Sequence, residues 1–219
     1  MLRIPLITFV FMEVHKVLDQ LFTGRPSIIW FKNHVFTNFL VTCYTLQDCF
    51  RLLYCPQNCI KLNPKGGFLL SSYTGEVPAE EFIVSTVAAL HFHHLLNYNN
   101  LRRIDYMHHY IMLIVLVISY MFDSKCYMSM FMFFLCGFPG MIDYSILALD
   151  MDRGIEKKIN VYLNNYIRGP GIVFTLGLYW RETFGYNMLV FWFGFIALFW
   201  NATYFAHDAT RSYYRSIRN

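Results

Sequence analysis

The run R-R-I-D-Y-M-H-H-Y at 102–110 sets one acid and two imidazoles within a helical turn of each other. On a helix Asp105 precedes His108 and His109 by three and four residues, so its carboxylate shares a face with both. Such an acid fixes the tautomer of a histidine and raises its basicity, as the orienting member of a catalytic triad does. Adjacent histidines point about 100° apart on a helix, so one can meet a substrate while the other meets a neighbouring helix. A second run, H-F-H-H at 91–94, places His91 and His94 on one face and makes metal binding a question. Di-iron hydroxylases and desaturases are disfavoured. They draw on three spaced histidine boxes, whereas this chain has 8 histidines in all and leaves His15, His34 and His207 isolated. A single zinc held by two or three histidines and an aspartate is the runner-up chemistry, and no metal is assigned. Taken alone, His91, His93 and His94 read as interfacial, with His94 kept as a substrate-binding candidate.

A third feature is G-F-P-G-M-I-D-Y at 137–144, where Gly137, Pro139 and Gly140 are expected to bend or open a helix. Asp143 follows inside an apolar run, where an isolated charge costs roughly 2.5–3.5 kcal/mol on insertion scales and needs a partner. Arg168, in N-Y-I-R-G-P-G at 165–171, is the expected partner, either as a helix-locking pair or in substrate binding. Asn160, Asn164 and Asn165 add polar groups to the same segment.

The elements that must position these groups follow from composition. Only 18 basic and 14 acidic residues occur among 219, while 56% are hydrophobic and 19% aromatic. So few polar residues cannot cover a soluble domain of this size, so an integral membrane protein is expected. A net charge of +4, with basic residues scattered, gives no nucleic-acid footprint. Six stretches approach the roughly 20 apolar residues of a spanning helix: about 28–53, 80–98, 107–122, 127–149, 159–180 and 184–206. Residues 1–25 carry Glu13, His15, Lys16 and Asp19 among apolar neighbours and read as an amphipathic interfacial segment. The fold class is therefore all-α: six transmembrane helices over 26–212, an N-terminal amphipathic helix and a basic tail at 213–219. Arg3, Lys16, Arg25, Arg102, Arg103, Arg153, Lys157, Lys158, Arg211, Arg215 and Arg218 fall on one side. Lys61, Lys65, Lys125 and Arg181 fall on the other, so both termini are expected in the cytoplasm. Cys55 and Cys59 then lie on the opposite side, where a disulfide could persist.

In D-Y-M-H-H at 105–109, in P-G-x-I-D-Y and in Asp150 the chain resembles the TLC-domain family, which includes the ceramide synthases and the translocating-chain-associating membrane proteins. Residues 156–171 are similar to a tract of small TLC-like proteins from protists and large DNA viruses, and the resemblance covers about 26–212. It implies a ring of six helices around a cavity open to the cytoplasm, in the endoplasmic reticulum. It also implies acyl transfer from acyl-CoA, as co-substrate, to a lipid amine or hydroxyl, with no bound cofactor. Carried over by position, His108 and His109 would be the acyl-transfer pair, with Asp143 and Asp150 as counterparts of the family's downstream acids. The ceramide synthase signature has a threonine three positions after the second histidine, where Met112 stands here. A non-catalytic lipid-sensing, trafficking or membrane-composition protein is the alternative, and a zinc-dependent amidohydrolase of lipid amides the third reading. The expected partners are membrane lipid and fatty acyl-CoA.

Overall fold

A computed structural model describes residues 3–54, 79–99, 101–121, 125–183 and 188–216, and all of its regular structure there is helical. Cys55, Cys59 and the N-P-K-G-G segment lie outside the described residues. The helices are α1 (Arg3–Leu21), α2 (Pro26–Tyr54), α3 (Ala79–Asn97), α4 (Arg103–Met121), α5 (Lys125–Met132), α6 (Phe138–Ala148), α7 (Arg153–Tyr162), α8 (Gly169–Thr183) and α9 (Met188–Ser216). Two π-helical turns, Phe133–Gly137 and Leu163–Arg168, join α5 to α6 and α7 to α8 without a break. Over their described residues, all six apolar stretches of the sequence therefore fall on long helical rods. Among the described residues, Tyr127–Ala148 is the one helix long and apolar enough to cross a membrane by length and composition.

Both π turns stand just before a proline, Pro139 in one rod and Pro170 in the other. Proline has no N–H to donate and its ring crowds the carbonyl four residues earlier, and a widened turn relieves that crowding. The bend expected at Gly137–Gly140 is thus a π turn within a continuous rod. The α1–α2 turn uses Gly24 at φ +131°, and Pro26 opens α2. Helix α7 starts at Asp152, whose carboxylate accepts from the backbone N–H groups of Gly154 and Ile155.

Helix-to-helix contacts run from α2 to α3, α3 to α4, α4 to α9, α9 to the α7–α8 rod, that rod to α5–α6, and α5–α6 back to α2. Helix α1 packs along α3 outside this circuit, through Phe11 against Phe82 and through Ile4, whose carbonyl accepts from Ser85. The core is apolar, with Val41, Ile83, Val87, Leu116, Met130, Met132 and Ile172 fully enclosed. Close approach depends on small residues. A Cβ on Gly140 would stand 2.6 Å from the Asn38 amide nitrogen, and one on Gly171 would overlap the Phe134 ring. Gly171→Ala should therefore cost about 1–3 kcal/mol through overpacking. Its thermal midpoint in detergent should fall accordingly, and an unchanged midpoint would contradict this packing.

Large apolar side chains point outward along the rods, among them Phe9, Leu46, Phe50, Ile114, Val117, Phe174, Trp192, Ile196 and Phe199. Arg25 at the α1–α2 turn pairs with Asp150 at the α6–α7 turn at 2.7 Å. Arg102, before α4, is influenced by the charge of Asp208 near the end of α9. The turns richest in basic residues accordingly gather at one end of the bundle.

Candidate functional site: a buried histidine cluster

The functional groups lie close to that end. Trp30 and His34 are near the start of α2, His91 and His94 near the end of α3, His109 near the start of α4, and Tyr144 near the end of α6. At 3.6 residues per turn they sit about one to two and a half turns below the basic turns. Four antiparallel rods thus point imidazoles and rings at one point from different directions.

His109 is enclosed, with 1% of its surface exposed. Its Nδ1 lies 2.5 Å from Nδ1 of His91, close enough that the two rings hold one proton between them. The Nε2 of His109 has no hydrogen-bond partner. If the shared proton resides on His109 Nδ1, Nε2 carries a free lone pair. His108 is half-buried, its ring 5.6 Å from that of His91 and edge-on to Phe205 of α9. His94 packs 5.3 Å from His109 and 4.7 Å from His34, and His34 stacks on Tyr144 at 4.0 Å. Trp30 covers His94 at 4.8 Å and His109 at 6.3 Å. Both nitrogens of His94, Nε2 of His34 and the side-chain nitrogen of Asn38 are buried without partners. Each orphaned polar atom costs about 1–3 kcal/mol, a cost that a polar ligand would offset.

His15 and His34, isolated in the sequence, belong to this cluster. His15 stacks on His93 at 5.5 Å, and His93 lies 6.0 Å from His94, so seven of the chain's 8 histidines form one chain of rings. The polar face of α1 turns inward at this point. Its Glu13 and Lys16 pair at the surface, but Asp19 accepts from His93 Nε2 at 2.8 Å, from the Asn33 amide at 2.5 Å and from the Tyr98 hydroxyl at 3.1 Å. His15 Nδ1 donates to Asn33 Oδ1 at 2.9 Å, and its Nε2 accepts from Thr37 at 3.2 Å, so the neutral tautomer is satisfied on both sides. Removing Asp19 leaves three donors short of an acceptor, and Asp19→Ala should release α1 from the bundle at a cost of about 2–4 kcal/mol.

Burial, reinforced by the neighbouring His93, lowers the His15 pKa to about 4 against the opposing Asn33 bond and Asp19 charge. The folded value lies below the unfolded 6.5, so the docked helix has its full stability above pH 6.5 and loses it as the pH falls towards 4. The loss is on the order of 3 kcal/mol at most. Limited proteolysis in the α1–α2 turn should rise between pH 7 and pH 4.5 in the wild type and follow a flatter profile in His15→Gln. Equal slopes would contradict the assignment.

The other sequence candidates are placed differently. Asp105 does not hold His109; its two oxygens accept from Arg102 Nε and a terminal guanidinium nitrogen, both at 2.9 Å, and from the Arg102 backbone N–H. Burial acts to raise the Asp105 pKa, but the Arg102 bonds and charge outweigh it and hold the carboxyl below its usual range. Asp143 and Arg168 are not directly paired. The Asn160 amide donates to Asp143 at 2.8 Å, Asn164 donates to Asn160, and Arg168 donates to Asn164 at 2.6 Å. Two amides thus carry the connection expected of one ion pair, and of the four residues Asn164 is buried while the others are half-buried. Asp150 sits at φ 52° in an exposed turn on Arg25, away from the buried rings. Glu156, which the sequence did not mark, is buried on α7; burial raises its pKa against the charges of Arg153 and Lys157. Tyr144, next to Asp143, connects this polar chain to His34.

No family model matches the chain, and no curated protein or solved structure matches it either.

Proposed function

We propose that this is a multi-pass membrane protein of the TLC type that transfers a fatty acyl group from acyl-CoA to the amine or hydroxyl of a lipid, with His109 carrying the acyl group in transit. The observation behind this reading is the dyad: a buried imidazole with one nitrogen tied to His91 and the other unpartnered. The circuit of six rods and their apolar outer surfaces support a membrane setting, and the basic turns gathered at one end are the reason for assigning that end to the cytoplasm. A site about one to two and a half turns below the basic turns is within reach of a soluble, anionic acyl-CoA.

His109 Nε2 attacks the thioester carbonyl, and the C–S bond breaks. The acyl-imidazolium so formed passes its Nδ1 proton to His91 Nδ1, and the departing thiolate takes up that proton as CoA-SH. The acceptor amine or hydroxyl then attacks the acyl carbon, the bond to His109 breaks, and the acceptor's proton returns to the dyad. Pairing with a second imidazole strengthens nucleophile and leaving group in turn. The orphaned nitrogens of His34, His94 and Asn38 are available to bind the polar part of the acceptor.

The test is turnover by purified protein in phospholipid vesicles supplied with palmitoyl-CoA and a long-chain amino alcohol. Amide or ester product with stoichiometric release of CoA supports the reading. Retention of lipid without turnover would instead favour a lipid-sensing role.

A further inference from the structure

We infer that His91, His108 and His109 form a binding site for a single zinc-class divalent metal ion, and that the bound ion blocks acyl transfer by occupying His109. One ring nitrogen from each lies within 4.8 Å of the others. An ion held tetrahedrally at about 2.1 Å by imidazole nitrogens keeps the ring centres about 5.2 Å apart. The three rings here stand 4.8, 5.6 and 5.6 Å apart, close to that spacing. A neutral imidazole always offers one unprotonated nitrogen, so no charge need be removed to form the site. His94, 5.3 Å from His109 with both nitrogens unpartnered, is a further imidazole next to the cluster. Three histidines with an open fourth position make a site that thiolate-free zinc and cobalt(II) both accept.

The blocking half rests on the acyl-transfer reading; the site itself does not. An ion on His109 consumes the lone pair needed for attack and breaks the bond to His91, so metal and acyl group exclude each other.

The test uses chelator-stripped full-length protein in detergent, titrated with cobalt(II) and then zinc. One cobalt per chain with the intense visible absorption of a tetrahedral complex, bleached by zinc, is the expected result. His108→Ala, which spares the buried dyad, should weaken cobalt binding at least about 100-fold, and circular dichroism checks that the helices persist. Absence of the tetrahedral spectrum, or undiminished binding in folded His108→Ala, would overturn the site. In vesicles, zinc should abolish product formation and a chelator should restore it. Zinc that binds without slowing turnover, or zinc-loaded protein that hydrolyses a fatty amide, would overturn the blocking half. A protein that binds cobalt as described but never transfers an acyl group keeps the site and fails the acyl-transfer reading instead.

Discussion

His109→Ala should lower the turnover of acyl-CoA and lipid acceptor by at least about 10³-fold while the protein remains folded. The substitution removes the only group in this account that bonds to the acyl carbon, so the defect should appear in kcat, with little change in the KM for acyl-CoA. It also leaves His91 Nδ1 without its partner in a buried site. That costs about 1–3 kcal/mol and should show as a lowered thermal midpoint. His109→Asn, which keeps a polar group beside His91, should recover stability without recovering activity. His91→Gln should fall by about 10²-fold, because an amide can hold the ring of His109 but cannot take its proton. Turnover that survives His109→Ala would transfer the chemistry to another residue.

The second large effect is structural. Asn164→Leu should destabilise the protein by about 3 kcal/mol or more, because it removes both the oxygen that accepts from Arg168 and the amide that donates to Asn160. Arg168 Nε is already buried without a partner, so the guanidinium has little left to hold it. Asp143→Asn keeps an acceptor for Asn160 and should cost less. The comparison of thermal midpoints in detergent checks the relay, and equal losses in the two variants would contradict it. The Leu substitution should leave the rings of His91, His108 and His109 in place, since the relay's bonds run among Asp143, Asn160, Asn164 and Arg168.

The helices were legible because their signals are local. Apolar runs of about 20 residues, Pro26 at an N-terminus, and Pro139 and Pro170 in bends can be read without a fold. His109 was legible for a similar reason, as an imidazole at the head of an apolar run with an acid four residues before it. Its partner was not. Eighteen residues and a helix reversal separate His91 from His109, and only the packing of α3 against α4 brings them together. His34 lies still farther away in sequence and reaches the cluster because Gly140 lets α2 approach α6 closely.

Local competition shapes both expected pairings. Asp105 has the spacing to orient a histidine, but Arg102 lies three residues before it and offers a charged, two-pronged donor. Such a bond is roughly twice as strong as one to a neutral imidazole. Arg168 in turn finds Asn164 one helical turn away on its own rod before it can reach Asp143 on another. Spacing along a helix identifies which groups are able to meet, and the strength of the nearest alternative decides which do.

The central claim is that the acyl group rests on His109. The direct measurement is the intact mass of the protein quenched in acid after mixing with palmitoyl-CoA in the absence of acceptor, followed by peptide mapping. One palmitoyl group on the peptide containing His109, discharged by added amine and absent from His109→Ala, is the predicted result. A protein that turns over normally yet carries its palmitoyl group on a cysteine, or carries none at any time point, would contradict the account.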